Sequence, residues 1–152
     1  MKTFLKTKEI TVDGETVTIT QLSGLNRFDF LDFCSDLPKP IQPEKPSDDV
    51  TEQDYERYLE EYEKCLKKWQ RINFTAQSRL VAYGYLEAGD DLEDRHQLVM
   101  STMTPEQVKF MHDEIALFSG IPLPKEPEES TEPENEEVDK SEEQLEPVDP
   151  KG

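Results

Sequence analysis

The 152-residue chain has no apolar run near the roughly 20 residues that cross a bilayer. Its start, Met1-Lys2-Thr3-Phe4-Leu5-Lys6, is charged but leads into no apolar h-region. Neither a membrane span nor a secretory signal is expected, and the cytosol is the expected compartment. Cysteine is scarce. Cys34 and Cys65 both fall in segments that read as helical, so they are expected to be reduced packing residues and not a disulfide. Histidine occurs only as His96 and His112, with no CxxC, HExxH or facial-triad spacing around them. Ordinary packing or surface histidines are expected, and no metal. The glycines Gly14, Gly24, Gly84, Gly89 and Gly120 are too scattered for a phosphate-cradling loop, and no serine sits in a nucleophile elbow. No catalytic residue and no cofactor is therefore assigned, and an enzyme is not expected.

Positive charge is also short. Lys and Arg total 17 against 35 Asp and Glu, a net charge of −18. Such a chain repels nucleic-acid phosphate and anionic lipid, so neither is an expected partner; basic protein surfaces are. The acidic cluster Asp90, Asp91, Glu93 and Asp94 lacks the Asp-x-Asp-x-Asp-Gly loop and closing Glu of a calcium site. It reads as charge at a helix start.

What is present divides into an ordered part and a tail. Residues 4–12 and 15–21 are rich in Thr, Val and Ile and flank Asp13-Gly14, the pair a type I′ hairpin turn wants. Val17 and Ile19 alternate with Thr16, Thr18 and Thr20, which gives one apolar face that must pack on something. Ser23 is a good N-cap for a helix to about Ser35. Leu25, Phe28, Leu31 and Cys34 recur at spacing three there, widened by Phe30 and Phe33. That pattern predicts an amphipathic helix on the hairpin, with Phe28 and Leu31 buried. Four prolines between Pro38 and Pro46 predict an extended connector, within a Pro-rich stretch spanning 38–50.

Thr51 opens a weak capping box. From there Tyr55, Tyr58, Leu59, Tyr62, Cys65, Leu66, Trp69, Ile72, Ala76, Leu80 and Tyr83 step by three or four. They predict a long helix, with a possible break near Asn73-Phe74-Thr75 and an end around Glu87. Its aromatic stripe, Tyr55, Tyr58, Tyr62 and Trp69, reads as core before it reads as a binding face. Asp90 or Asp91 is expected to cap a helix from Leu92 to about Ser101. Thr104-Pro105-Glu106-Gln107 is a capping-box pattern for a last helix with Val108, Met111, Ile115 and Phe118 in one row, ended by Gly120. Residues 121–152 hold six of the eleven prolines, and 12 acidic against 3 basic residues. A disordered acidic tail is the expectation there.

Several segments, in order, resemble the tail assembly protein G family of lambda-like phages. They are Phe4-Leu5-Lys6-Thr7, Asp13-Gly14, Val17-Thr18-Ile19 and Leu22-Ser23-Gly24-Leu25-Asn26-Arg27. Further on come Phe74-Thr75, the stretch from Leu80 to Leu86, Thr104-Pro105, and Leu117-Phe118-Ser119-Gly120. The Pro-rich connector and the Tyr-rich helix at 38–70 depart from the family pattern. The resemblance implies a tail assembly chaperone that binds the tape measure protein. It also implies a longer product of ribosomal frameshifting that recruits tail tube protein. Such a protein works in the host cell cytoplasm and is absent from the mature virion. Asp149-Pro150-Lys151 permits a slippery heptamer, C CCA AAA or C CCA AAG, near the end of the reading frame. The expected architecture is α+β, mostly α. A helical chaperone domain, 1–120, has an N-terminal β-hairpin packed on three to four helices, and the acidic tail 121–152 follows. The partner-binding residues and the oligomeric state stay unassigned. The alternative reading is an acidic DNA mimic that inhibits a host nucleic-acid enzyme. It would need carboxylates arrayed over the folded surface, whereas half the net charge falls in 121–152.

Overall fold

A computed structural model describes residues 2–123 of the chain. Most of the acidic tail expected at 121–152 lies outside the described residues. The fold is mostly helical, with one antiparallel hairpin of β1 (Thr7–Val12) and β2 (Glu15–Thr20). Four helices follow: α1 (Gly24–Asp36), α2 (Glu52–Gly84), α3 (Leu92–Thr102) and α4 (Pro105–Phe118).

The hairpin register pairs Val12 with Glu15, so Asp13 and Gly14 alone make the turn. Their φ angles of 48° and 87° are both positive, as a type I′ turn requires. Ile10, Val12, Val17 and Ile19 share the inward face, and Ile19 is fully buried. This face lies on α4 and on a single 3₁₀ turn, Leu86–Ala88. Polar contacts fix the placement at both ends. The Gln107 amide donates to Asp13 at 2.7 Å, and the Leu22 N–H donates to Ser119 Oγ at 2.9 Å. The Thr18 N–H donates to Glu87 at 3.3 Å.

Helix α2 has 33 residues and is about 50 Å long at 1.5 Å per residue. It does not break at Asn73-Phe74-Thr75. The Thr75 hydroxyl donates to the Arg71 carbonyl one turn back, at 2.9 Å, and so is used inside the helix instead of capping a new one. The α-helix also stops at Gly84, short of Glu87. There the Arg95 side chain donates to the free Ala82 carbonyl at 2.7 Å and, in the loop that follows, to the Asp90 carbonyl at 3.0 Å.

Every residue from Ser78 to Gly84 is buried, because this end of α2 runs through the centre of the domain. Leu80, Val81, Val99, Val108, Met111 and Ile115 form the core beside Ile19. Gly84 is what allows α4 to come so close. A Cβ there would lie 2.5 Å from Ile115 Cγ2. The capping box on Thr104 and Gln107 starts α4, and Asp91 starts α3 by accepting from the N–H groups of Glu93 and Asp94. Between α1 and α2, residues 38–46 carry neither helix nor strand.

Candidate functional site

Helix α1 has two apolar rows and buries only one. Ser23 caps it by accepting from the Asn26 N–H at 3.0 Å. Asn26, Phe30, Phe33, Cys34 and Leu37 are its partly buried positions. They follow i, i+4, i+7, i+8, i+11, and therefore stay on one side of a 3.6-residue helix. Burial pushes the Cys34 thiol pKa up. The other row, Leu25, Phe28 and Leu31, is 70%, 69% and 57% exposed. The expectation that Phe28 and Leu31 pack against the hairpin is therefore wrong: α1 packs on α2, and this row faces solvent. Steps of three turn a helix by about 300° each, so a strict three-spaced row winds some 60° per step and leaves any flat contact. Asp29, Asp32 and Asp36 are exposed on the same helix.

The inward row is fixed by a polar seam between α1, α2 and α3. The Arg79 guanidinium lies 4.5 Å from the Phe33 ring centre and 2.8 Å from Glu93 Oε2. One of its N–H groups meets His96 Nδ1 at 3.2 Å. Arginine can only donate, so Nδ1 accepts, and His96 Nε2–H donates to the Thr75 carbonyl at 3.1 Å. Burial holds the His96 pKa below its ordinary value and keeps the ring neutral. The Arg79 hydrogen bond lowers the Glu93 carboxyl. Phe33 meets the His96 ring edge-on at 5.6 Å. Every nitrogen of His96 is used in holding helices together, which leaves it no free lone pair for proton transfer or metal.

The first half of α2 departs from the core reading of its stripe. Tyr55, Leu59 and Leu66 are 43%, 46% and 46% exposed, and only Cys65 is buried before Ser78. The Tyr55, Tyr58 and Tyr62 rings stand 6.0 Å apart in sequence along the helix. Pro40, Ile41 and Pro43 run beside Glu61, Lys64, Cys65 and Lys68. The helical periodicity of this stretch is real, but it has too few neighbouring elements to make a core.

The remaining residues singled out by sequence are accounted for locally. His112 pairs with Asp113 at 2.8 Å. Asp91 is an N-cap and Glu93 an ion-pair partner, as charges at a helix start should be. Among the described residues, no three His, Cys, Asp or Glu side chains come together as metal ligands. The groove between hairpin and α3 has a volume of about 220 Å³. It is open and lined mainly by apolar residues such as Val12, Val17, Leu98 and Met111. No nucleophile in it meets a base. Among the described residues, no helix is long and apolar enough to cross a membrane. What the surface offers is protein contact: an apolar row on α1 flanked by carboxylates, suited to apolar side chains with Lys or Arg beside them.

Residues 3–140 match a family model described as "Bacteriophage lambda tail assembly chaperone, TAC, protein G". No curated protein and no solved structure matches the chain.

Proposed function

The chain belongs to the bacteriophage lambda tail assembly chaperone family of protein G, a family of assembly factors and not of enzymes, and on that footing we propose that it holds the tape measure protein through the outward row of α1. The observation that carries this reading is the exposure of Leu25, Phe28 and Leu31 on a helix whose opposite face is securely docked. Rigid, pre-exposed apolar side chains lose little entropy on binding, which suits a chaperone that must engage a partner's helical faces. Asp29, Asp32 and Asp36 add attraction for basic flanks on that partner and discourage the row from aggregating with itself.

The composition of residues 121–152 suits a tether to a second module, which would raise that module's effective concentration near the bound partner. In a longer frameshifted form that module would recruit tail tube protein, and Asp149-Pro150-Lys151 is the proposed slip point. The work is placed in the host cytoplasm, before the virion is complete. Family membership favours this reading over a DNA mimic. Co-expression of the tape measure protein with and without this chain tests it. More soluble tape measure protein in the presence of the chain is expected; equal solubility in both cultures would remove the holding role.

A further inference from the structure

The hairpin has two edges, and they are finished differently. The Gln21 N–H donates to the Lys6 carbonyl at 3.0 Å. An antiparallel ladder alternates by two from such a pair, so Lys8, Ile10 and Val12 turn their backbone N–H and C=O groups toward β2. Those of Thr7, Glu9 and Thr11 turn the other way. On β2 the outward N–H of Thr18 is taken by Glu87, whose 3₁₀ turn packs against that strand. On β1, among the described residues, the outward backbone groups of Thr7, Glu9 and Thr11 meet no donor or acceptor. Helix α4 lies beside this open edge. Lys8 with Glu114, at 3.8 Å, and Asp13 with Gln107, at 2.7 Å, hold β1 and α4 side by side in opposite directions. Phe110 and Leu117, two turns apart on the side of α4 next to the edge, are 44% and 61% exposed. Phe110 lines a hollow of about 250 Å³ with Thr11, Val12, Asp13, Glu106 and Gln107. Among the described residues Glu9 and Glu106 are in no ion pair, and Lys8 is held inward against Glu114 and the Phe118 ring.

We propose that the open edge of β1 docks an extended segment of a partner protein in which apolar side chains alternate with Lys or Arg. The segment adds to the hairpin as a third strand, bonded to the outward N–H and C=O groups of Thr7, Glu9 and Thr11. Its apolar set continues the inward face of the sheet and lies over Phe110 and Leu117. Its basic set stands in the row of Thr7, Glu9 and Thr11, where a cation meets Glu9 and another, by the turn, meets Asp13 and Glu106. A helix has already used its backbone groups internally, so an unpaired ladder selects an extended occupant. A second copy of the chain is disfavoured. The antiparallel pairing of two β1 strands that uses all three outward residues sets Glu9 against Glu9, the kind of edge charge that keeps a strand from pairing with itself. No residue of the α1 row takes part, so the site adds to the proposed partner binding and does not depend on it.

Amide hydrogen exchange of the full chain, read by NMR with and without a synthetic peptide, tests this residue by residue. The peptide alternates Val and Lys and is roughly nine residues long, enough to cover the strand. In the free chain the Thr7, Glu9 and Thr11 amides should exchange faster than those of Ile10 and Val12. Saturating peptide should slow those three at least roughly tenfold. The same peptide N-methylated on its edge-facing residues keeps every side chain, loses the donors and should not bind. Thr11→Pro removes one outward N–H and leaves the ladder to β2 intact, so it should weaken binding at least roughly tenfold. Glu9→Lys should turn the preference to a peptide of alternating Val and Glu, which also shows that the altered chain folds. A wild-type chain that does not bind the Val–Lys peptide overturns the site. So does a peptide that binds without slowing the three amides, or that binds as well when N-methylated. Thr7, Glu9 and Thr11 amides already protected before peptide is added would overturn it too, because a second copy would then hold the edge.

Discussion

Helices α4 and α1 are nearly equal in length, 14 and 13 residues, and each has an apolar row; one is covered and one is not. On α4, Val108, Met111 and Ile115 are fully buried between α2 and the hairpin. On α1, Leu25, Phe28 and Leu31 are exposed, while the less regular-looking Phe30 and Phe33 do the docking. The difference lies in periodicity. Steps of three and four keep the α4 row on one side, whereas steps of three alone carry the α1 row around the helix. A row that its own fold does not cover is available to something else.

The contrast breaks most sharply in stability. Ile115→Ala is expected to lower unfolding free energy by about 2–5 kcal/mol in urea melts, because it leaves a cavity in a fully buried site. Phe28→Ala should change it by less than about 0.5 kcal/mol, since the ring is mostly in water already. Comparable losses at the two sites would mean that both rows are core and that the picture of α1 is wrong.

Glycines sharpen the same contrast at a smaller scale. Gly84→Ala should lower stability by about 1–3 kcal/mol, because the new methyl overlaps Ile115 at the α2–α4 crossing. Gly24→Ala, at the open start of α1 with nothing within 4 Å, should be neutral or slightly stabilising. Thermal melts of the two variants check both signs.

The seam joining α1 to the core should show a smaller, pH-dependent effect. Burial lowers the His96 pKa in the folded chain, so the folded ring resists a proton that the unfolded ring accepts. Above a histidine's ordinary value, about 6.5, both forms are neutral and the full stability is present. Below it, stability falls as the unfolded state gains protons. Denaturant midpoints between about pH 7.5 and 5.5 should therefore drop, in a window above the range where carboxylates titrate. His96→Gln should flatten the slope. An unchanged slope in that variant would mean that His96 is not the group held neutral.

Much of the fold was legible because local chemistry and global packing agree. Asp13-Gly14 permits one tight turn, Thr104-Pro105-Glu106-Gln107 permits one helix start, and Val108, Met111 and Ile115 keep a face that tertiary structure then covers. The candidate surface was legible only as apolarity. Whether Phe28 or Phe33 turns inward depends on Arg79 and His96, which lie more than forty residues away and reach Phe33 through a cation–π contact and a ring edge. The aromatic stripe of α2 was visible in the same way, but no spacing rule shows that Tyr55 and Leu59 lie beyond the reach of the other helices. The continuity of α2 through Thr75 turns on one hydroxyl, which sequence places equally well in a cap or in a helix.

The uncovered row of α1 is proposed to be a binding face and not a structural one. Isothermal titration of a tape measure protein fragment into the wild type and into a chain with Leu25→Ser, Phe28→Ser and Leu31→Ser tests it most directly, with a urea melt of each chain alongside. The variant is expected to keep the wild-type midpoint and to bind at least roughly a hundredfold more weakly, the loss of a few buried apolar anchors. Wild-type affinity in a chain that melts normally would contradict the claim and place the partner elsewhere on the surface.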